Sequence, residues 1–520
     1  MKKNNRQFTA PISKAMEAYA GDGALAFHTP GHKQGLGAHS LLKRLITEAG
    51  LRQEVSLMEE LDDLHEPAGC IKEAQELAAE LWGARESLFV INGTTGAIQA
   101  MLVGTLSPGD KVLVPRNAHR SIMGGIILAG AVPIYLQPEI DTRLGIAMGL
   151  SVATVKQAIK EHPEAKALVA VYPTYYGFCC DLQRIGELVH DANMLLLVDE
   201  AHGAHLRFGR DLPKQAIELG ADVAAQSTHK LLGSMTQTSM LHIGSNRVEA
   251  ERIRQAASLL QSTSPNQLLL ASLDIARLQM AQEGAQRVNR AVELAQWLRK
   301  KINEIPGLYC PSKEIWAGQE AGQLVAGSED LSDVGAVALD WAKVTVNLAG
   351  LDISGQEAEL LLRHQWKVQC ELSDPENLLF IISMADTQRE ADRLLQVLQE
   401  LAVKHLATKI ANKDGSSIAE EQACKKADNL CHMAEMPVAV QRMKPREAFF
   451  APIRTVALEK AIGCICGETI AFYPPGIPVL CPGEEITEAL VEYIRFYQAK
   501  GMRLSGAVDS ELKTIRVCQE

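Results

Sequence analysis

The stretch LLLVDEAHGAHL, residues 195–206, decides how the rest of the chain is read. Four apolar residues run into Asp199, the pattern of a short buried strand that ends on an acid. Asp-Glu-Ala-His is also the magnesium- and ATP-holding signature of a large group of helicases. That use needs a second part, a G-x-x-x-x-G-K-[ST] loop whose amides and lysine hold nucleotide phosphates. None is present, and GLYCPSK at 307–313 has the wrong spacing. The chain of 520 residues carries a formal net charge of −11, with no long basic stripe to neutralise phosphates. Nucleic acid is therefore not an expected partner, and Asp199 belongs to other chemistry.

Working outward, helix and strand patterns alternate from about residue 71. IKEAQELAAELWGA sets Ile71, Ala74, Leu77, Ala78 and Leu81 on one helical face, with Gly83 as a stop signal. SLFVING reads as a strand, TTGAIQAMLVGTL as a helix, KVLVP as a strand and RSIMGGIILAG as a helix. AVPIYLQ is a strand, SVATVKQAIKEH a helix with a capping serine, AKALVAVYPT a strand and DLQRIGELVHDAN a helix. MLLLVDEAH and ADVAAQSTHK close the series as strands. Such alternation predicts an α/β fold with a mostly parallel sheet and helices on both faces. Ligands of such folds sit beyond the carboxyl ends of the strands. Thr94, His119, Thr174, Asp199, His202 and Lys230 all fall at those ends.

After Lys230 the texture changes. Residues 266–304 are helical in pattern, and 342–402 read strand, helix, strand, strand, helix, as in a smaller α+β domain. Residues 412–429 are polar and read as a linker or an exposed helix. In the last unit, Ile486, Ala489, Leu490, Tyr493, Ile494 and Tyr497 share a helical face. The expected division is an N-terminal arm and entry segment (1–70), a large domain (71–300), a small α+β domain (301–411) and a C-terminal domain (412–520). No apolar run reaches the length of a membrane span, and the basic start lacks the apolar core of a secretory signal. The 11 cysteines are scattered without a Cys-x-x-Cys pair, so no metal site is expected and the thiols read as reduced, in a cytoplasmic protein.

Asp199, Lys230 in QSTHK, NGTTGA at a strand-to-helix junction and His119 in PRNAHRS fit one ligand, pyridoxal 5′-phosphate. The chemistry needs a lysine whose neutral amine can condense with the aldehyde. It needs an acid to keep the pyridine nitrogen protonated, because the protonated ring is the electron sink; Asp199 can serve. A helix start lined by Gly93, Thr94, Thr95 and Gly96 offers amides and hydroxyls to the phosphate. His119 can stack on the ring, and Ser227 and His229 can add phosphate contacts. Each piece alone has an ordinary structural explanation; their order on this scaffold gives them weight.

The same residues resemble a known family, the bacterial ornithine/lysine/arginine decarboxylases, over nearly the whole chain. The stretches that carry the resemblance include FHTPGHKQG (27–35), LDDLHEPAGCIKEAQELAAELWGA (61–84), QSTHKLLGSMTQTS, STSPNQLLLASLD (262–274) and FYPPGIPVLCPGE (472–484). The resemblance implies the aspartate-aminotransferase-like fold of pyridoxal-phosphate enzymes, in the short form common in Gram-positive bacteria, without an N-terminal wing domain. It implies Lys230 as the cofactor lysine, Asp199 as the partner of the ring nitrogen and His119 as the stacking residue. Thr94, Thr95, Gly96, Ser227 and His229 fall at phosphate positions. Thr263 and Ser264 match a segment that approaches the phosphate from a neighbouring subunit, so a homodimer or larger even-numbered assembly is expected. His202 stands where longer relatives often carry tryptophan. The reaction implied is decarboxylation of a basic amino acid in polyamine metabolism, arginine by analogy with the short form, with lysine or ornithine as alternatives. Glu484 is a candidate partner for the distal cation of the substrate, or simply an acid at a helix start. An inactive relative acting as a regulatory or binding protein is the alternative from another class.

Overall fold

The computed structural model describes residues 5–312, 334–411, 436–438, 440–473 and 476–519. The segment 412–429 lies outside the described residues. The chain forms two compact units. One comprises residues 1–106, 195–210 and 214–287, the other 107–194, 211–213 and 288–520.

Seven strands carry the α/β architecture: β1 (Glu86–Val90), β2 (Lys111–Pro115), β3 (Val132–Leu136), β4 (Ala167–Val171), β5 (Leu195–Asp199), β6 (Val223–Gln226) and β7 (Ser239–Ile243). The first unit contributes β1, β5, β6 and β7. There β5 and β6 run parallel, with Leu197 opposite Val223. β7 runs antiparallel to both β6 and β1, with Met240 opposite Gln226 and Ser239 opposite Val90. In the second unit β2 is parallel to β3 and to β4. β7 is the one reversed strand, antiparallel to β1 and β6, while the pairs β5–β6, β2–β3 and β2–β4 are parallel, so the sheet is mostly parallel, as the alternation predicts. The alternation was expected to end at ADVAAQSTHK; β7 is the strand that reading missed.

The connecting helices begin and end where their sequences direct. Helix Cys70–Trp82 stops at Gly83, whose φ of 70° is the left-handed conformation that glycine adopts without a Cβ clash. Its Ile71, Ala74, Leu77 and Ala78 are fully buried. Ser151 caps helix Val152–Glu161 by accepting from the Thr154 amide, and Asp181 caps Leu182–Asp191 through the Arg184 amide. Each such cap is worth about 1 kcal/mol.

In the second unit, strands Lys343–Asn347, Leu372–Ser373 and Asn377–Ile381 pair antiparallel, accompanied by helices Gly355–Leu361 and Gln388–Ala411. Val344, Val346, Leu378, Phe380, Val397, Leu398 and Leu401 form their core with Leu298 and Ile302. The C-terminal residues have a separate core, including Ile470, Val479, Leu480, Ile486, Leu490, Ile494 and Val517. There the helix runs Glu488–Ala499 from a Thr487 cap. Leu490, Tyr493 and Ile494 are buried as the periodicity predicts, whereas Ala489 is exposed and Ile486 precedes the helix.

Candidate active site

In the first unit, β5 and β6 are parallel neighbours, so their carboxyl ends bring Asp199 and the segment carrying Lys230 to one edge. Asp199 is 5 % exposed, and its Oδ1 accepts from the Ala201 amide at 3.1 Å. Burial pushes the carboxyl above its usual range, while the Lys230 charge and the Ala201 amide pull it back. Lys230 Nζ lies 2.9 Å from Nε2 of His202, so these two nitrogens share a proton. His202 is itself buried.

Helix Gly93–Thr105 begins at a glycine with φ of 66° and has no side-chain cap. The Gly93 amide is taken by the Gln237 carbonyl, and that of Gly96 by Asn92. The amides of Thr94 and Thr95, in the first turn, have no acceptor within the helix. Behind them is a buried hydroxyl cluster. Thr94 Oγ1 lies 2.5 Å from Ser227 Oγ and donates to Ser239 Oγ at 3.0 Å. Ser239 in turn donates to the Gln226 carbonyl at 2.7 Å. Gly96 is buried, and a Cβ there would lie 2.9 Å from that of Asn92; Thr95 is exposed. His229 is directed elsewhere: its Nδ1 meets the Thr238 carbonyl at 2.7 Å, and burial lowers its pKa. Thr263 and Ser264 are exposed.

In the second unit His119 caps helix Arg120–Ala129, its Nδ1 2.8 Å from Ser121 Oγ. The Gly476 carbonyl accepts from the Arg120 amide at 3.1 Å, and a Cβ on Gly476 would lie 3.3 Å from His119 Nε2. Thr174 is buried, with Oγ1 accepting from the Phe178 amide.

Glu484 is where the sequence reading needs correction. It is fully buried, and both carboxylate oxygens are committed to the Arg116 guanidinium, at 2.7 and 3.0 Å. Oε2 also accepts from the Cys481 amide at 3.0 Å. Arg116 donates further to the Val479 carbonyl and stacks 4.5 Å from the centre of the Tyr135 ring. Nor does Glu484 start a helix, since the following one is capped by Thr487. Its carboxylate is an internal counter-ion, and we do not carry it forward as a substrate contact.

Sequence reading passed over Ser239 and Glu200. Glu200 is fully buried; its oxygens accept from the Ala216 amide at 2.7 Å and from Gln226 Nε2 at 2.8 Å. Burial raises its pKa to about 8. A buried acid beside Asp199 was visible in the DEAH tetrapeptide, but nothing local pointed to Ser239. Among the described residues, no group of three or more His, Cys, Asp and Glu side chains could hold a metal, and no helix is long and apolar enough to cross a membrane.

The sequence places Lys230 at a strand end, but it lies in the short helix Thr228–Leu231 that follows β6. With its charge acting on the buried acid that ends β5, on a mostly parallel sheet, it fits an α/β fold of the aspartate-aminotransferase-like class. A solved lysine decarboxylase from Francisella novicida superposes with a TM-score of 0.83 at 23 % identity, covering 99 % of this chain and 82 % of that one. The chain belongs to the Orn/Lys/Arg decarboxylase family: its residues 10–390 match the major domain, and 428–514 the C-terminal domain. Membership makes it an amino-acid decarboxylase. It is 40 % identical to the arginine decarboxylase of Halalkalibacterium halodurans over 99 % of both chains. It is 27 % identical to a lysine decarboxylase of Pseudomonas aeruginosa, over 94 % of this chain and 75 % of the other.

Proposed function

We propose that the protein decarboxylates arginine, giving agmatine and CO₂, with pyridoxal 5′-phosphate as its cofactor. The observation that carries the reading is buried Asp199 at the end of β5, whose carboxyl feels the charge of Lys230, itself held 2.9 Å from His202. Arginine is favoured over lysine and ornithine by the 40 % identity to an arginine decarboxylase along the full chain, against 27 % to a lysine decarboxylase.

The donor set fits the cofactor. A buried carboxylate whose pKa is already pushed up is stabilised by a cation, and a protonated ring nitrogen is one. An uncapped first turn beside buried hydroxyls suits a phosphate. When bound, the cofactor ring supplies the sink for the electron pair left as CO₂ departs. Asp199 would hold the proton on the ring nitrogen. Lys230 would supply the amine that carries the cofactor, oriented by His202, whose Nε2 lies 2.9 Å from Lys230 Nζ. The first-turn amides of Thr94 and Thr95 would meet the phosphate, joined by the Ser227 hydroxyl, while Gly96, whose own amide is taken by the Asn92 carbonyl, keeps that turn free of a side chain. His229, its Nδ1 committed to the Thr238 carbonyl, would stand beside the phosphate in the same segment as Ser227. His119 would be the residue that stacks on the ring, the role its sequence position implies.

The assembly is a homodimer or a larger even-numbered oligomer, with Thr263 and Ser264 reaching the partner's phosphate. Their exposure supports this, as do Leu25, Phe27, Leu36 and Leu45, all at least 80 % exposed in one chain. The arm, large, small and C-terminal domains are taken to run 1–70, 71–300, 301–411 and 412–520; the separate C-terminal core supports the last of them. The activity is assigned to polyamine synthesis in the cytoplasm.

The test is CO₂ release by the purified protein, supplied with pyridoxal phosphate, from arginine, lysine and ornithine in turn. Arginine is expected to give the highest kcat/KM. A preference for lysine or ornithine overturns the substrate, and cofactor binding without release from any of the three favours an inactive binding protein.

A further inference from the structure

Thr94, Ser227 and Ser239 are 7 %, 1 % and 0 % exposed, and the hydroxyl of each brings one hydrogen. Their directions can be followed from the buried end. Ser239 Oγ spends its hydrogen on the Gln226 carbonyl, at 2.7 Å. It is therefore an acceptor toward Thr94, whose hydrogen it receives at 3.0 Å. Thr94 has none left, so the 2.5 Å contact with Ser227 uses the Ser227 hydrogen. The row runs one way: Ser227 to Thr94 to Ser239 to a main-chain carbonyl.

The end of that row is rigid. The Gln226 side chain is held on both sides, Nε2 donating to Glu200 at 2.8 Å and Oε1 lying 3.1 Å from His242 Nε2. His242 Nδ1 lies 2.7 Å from Ser87 Oγ, and all these groups are buried. β7 fixes Ser239 as well, since Ser239 pairs with Val90 and Met240 with Gln226.

We infer that Ser239 is a positioning residue for the cofactor phosphate: it holds the Thr94 hydroxyl turned inward, so that Thr94 offers its amide and Ser227 offers the hydroxyl. This rests on the cofactor reading proposed above. Of the three hydrogens, only that of Ser227 can be drawn off by an incoming phosphate oxygen without breaking the anchored part of the row. Without Ser239, the Thr94 hydrogen turns to Ser227, the pair loses its fixed orientation, and the phosphate site is no longer preorganised. The ring and aldehyde contacts, made by other residues, are untouched.

Comparing pyridoxal phosphate with pyridoxal isolates the phosphate contribution. The full-length protein, freed of cofactor, is titrated with each by absorbance. Ser239→Ala is expected to weaken pyridoxal phosphate about tenfold, corresponding to about 1.4 kcal/mol, and to leave pyridoxal unchanged. Ser239→Thr, which keeps the hydroxyl, restores the ratio. In a Thr94→Val background Ser239→Ala has no further effect, because Ser239 acts through Thr94. An unchanged ratio in Ser239→Ala overturns the inference, as does a loss that persists in the Thr94→Val background. Should Ser239→Ala not fold, Thr94→Val against Thr94→Ser carries the test: the first must lose the phosphate preference and the second keep it. If the unaltered protein binds neither compound, the cofactor reading itself falls, and this inference with it.

Discussion

Replacing Glu484 by glutamine keeps the size of the side chain and removes its charge, which strands the Arg116 guanidinium in the interior. Arg116 and Glu484 side chains are 2 % and 0 % exposed, so water cannot compensate. Two charge-assisted hydrogen bonds, at 2.7 and 3.0 Å, lose their ionic partner, and the new amide NH₂ faces another donor. Breaking one side of a buried pair costs about 3–5 kcal/mol. The Val479 carbonyl and the face of Tyr135 remain, and a cation on an aromatic face recovers about 1 kcal/mol, so the lower end of that range is expected. The chain has several cores and will not unfold in one step, so the assay must be local. Amide hydrogen exchange in peptides covering 476–486 reports the opening of this segment, and about 3 kcal/mol corresponds to acceleration of roughly a hundredfold. The double variant Arg116→Met, Glu484→Met removes both charges and should recover most of the protection. Were Glu484→Gln to leave exchange within about threefold of the parent and instead raise KM for the amino acid, the buried-pair argument would be refuted and the substrate role reinstated.

Three further outcomes follow from the site. Asp199→Asn should keep a borohydride-reducible link to Lys230 yet lose turnover by about a hundredfold or more; turnover within about threefold of the parent would contradict its charge role. Glu200, with its pKa raised from 4.5 to about 8, favours the protonated form in the folded state. Its contribution to stability is present below 4.5 and is lost as pH rises toward 8. Glu200→Gln should therefore flatten the fall in hydrogen-exchange protection of peptides covering 195–226 across that window, and an unchanged slope would show that Glu200 does not titrate there. Mixing inactive Lys230→Ala chains with chains altered at Thr263 and Ser264 should restore activity, because each hybrid dimer then holds one site with neither lesion. Hybrids that form and stay inactive would sink the shared site.

The parts of the fold that follow from local pattern were legible in the sequence. Strand–helix alternation located β1 to β6, and capping residues such as Ser151 and Asp181 located helix starts. β7 was not legible, because SMLHI buries a serine and a histidine whose side-chain partners, Thr94 and Ser87, lie far away in the sequence. The same holds for Glu484: its partner Arg116 is 368 residues distant, and no spacing rule reports such a contact. In the candidate site, residue type and strand-end position brought Asp199, Lys230, Thr94 and Ser227 to notice. The direction of each hydrogen bond had to come from coordinates: His202 meeting Lys230, His229 turned to Thr238, and Ser239 closing the hydroxyl row.

The antiparallel insertion of β7 also sets an order of events in the life of the chain. β7 pairs on one side with β6, a near neighbour in sequence, and on the other with β1, which ends at Val90, before Ser239 begins it. Contacts of such long sequence separation form late, after the loop-closure entropy has been met. The residues from Ser227 to Thr238 are an excursion between two paired strands, and its feet are fixed only when both pairings exist. A nascent chain that has not yet released residue 243 from the ribosome therefore carries Lys230 without the strand that fixes its surroundings. Stable capture of cofactor waits for that strand, and a refolding protein should regain its helices before it regains a cofactor spectrum.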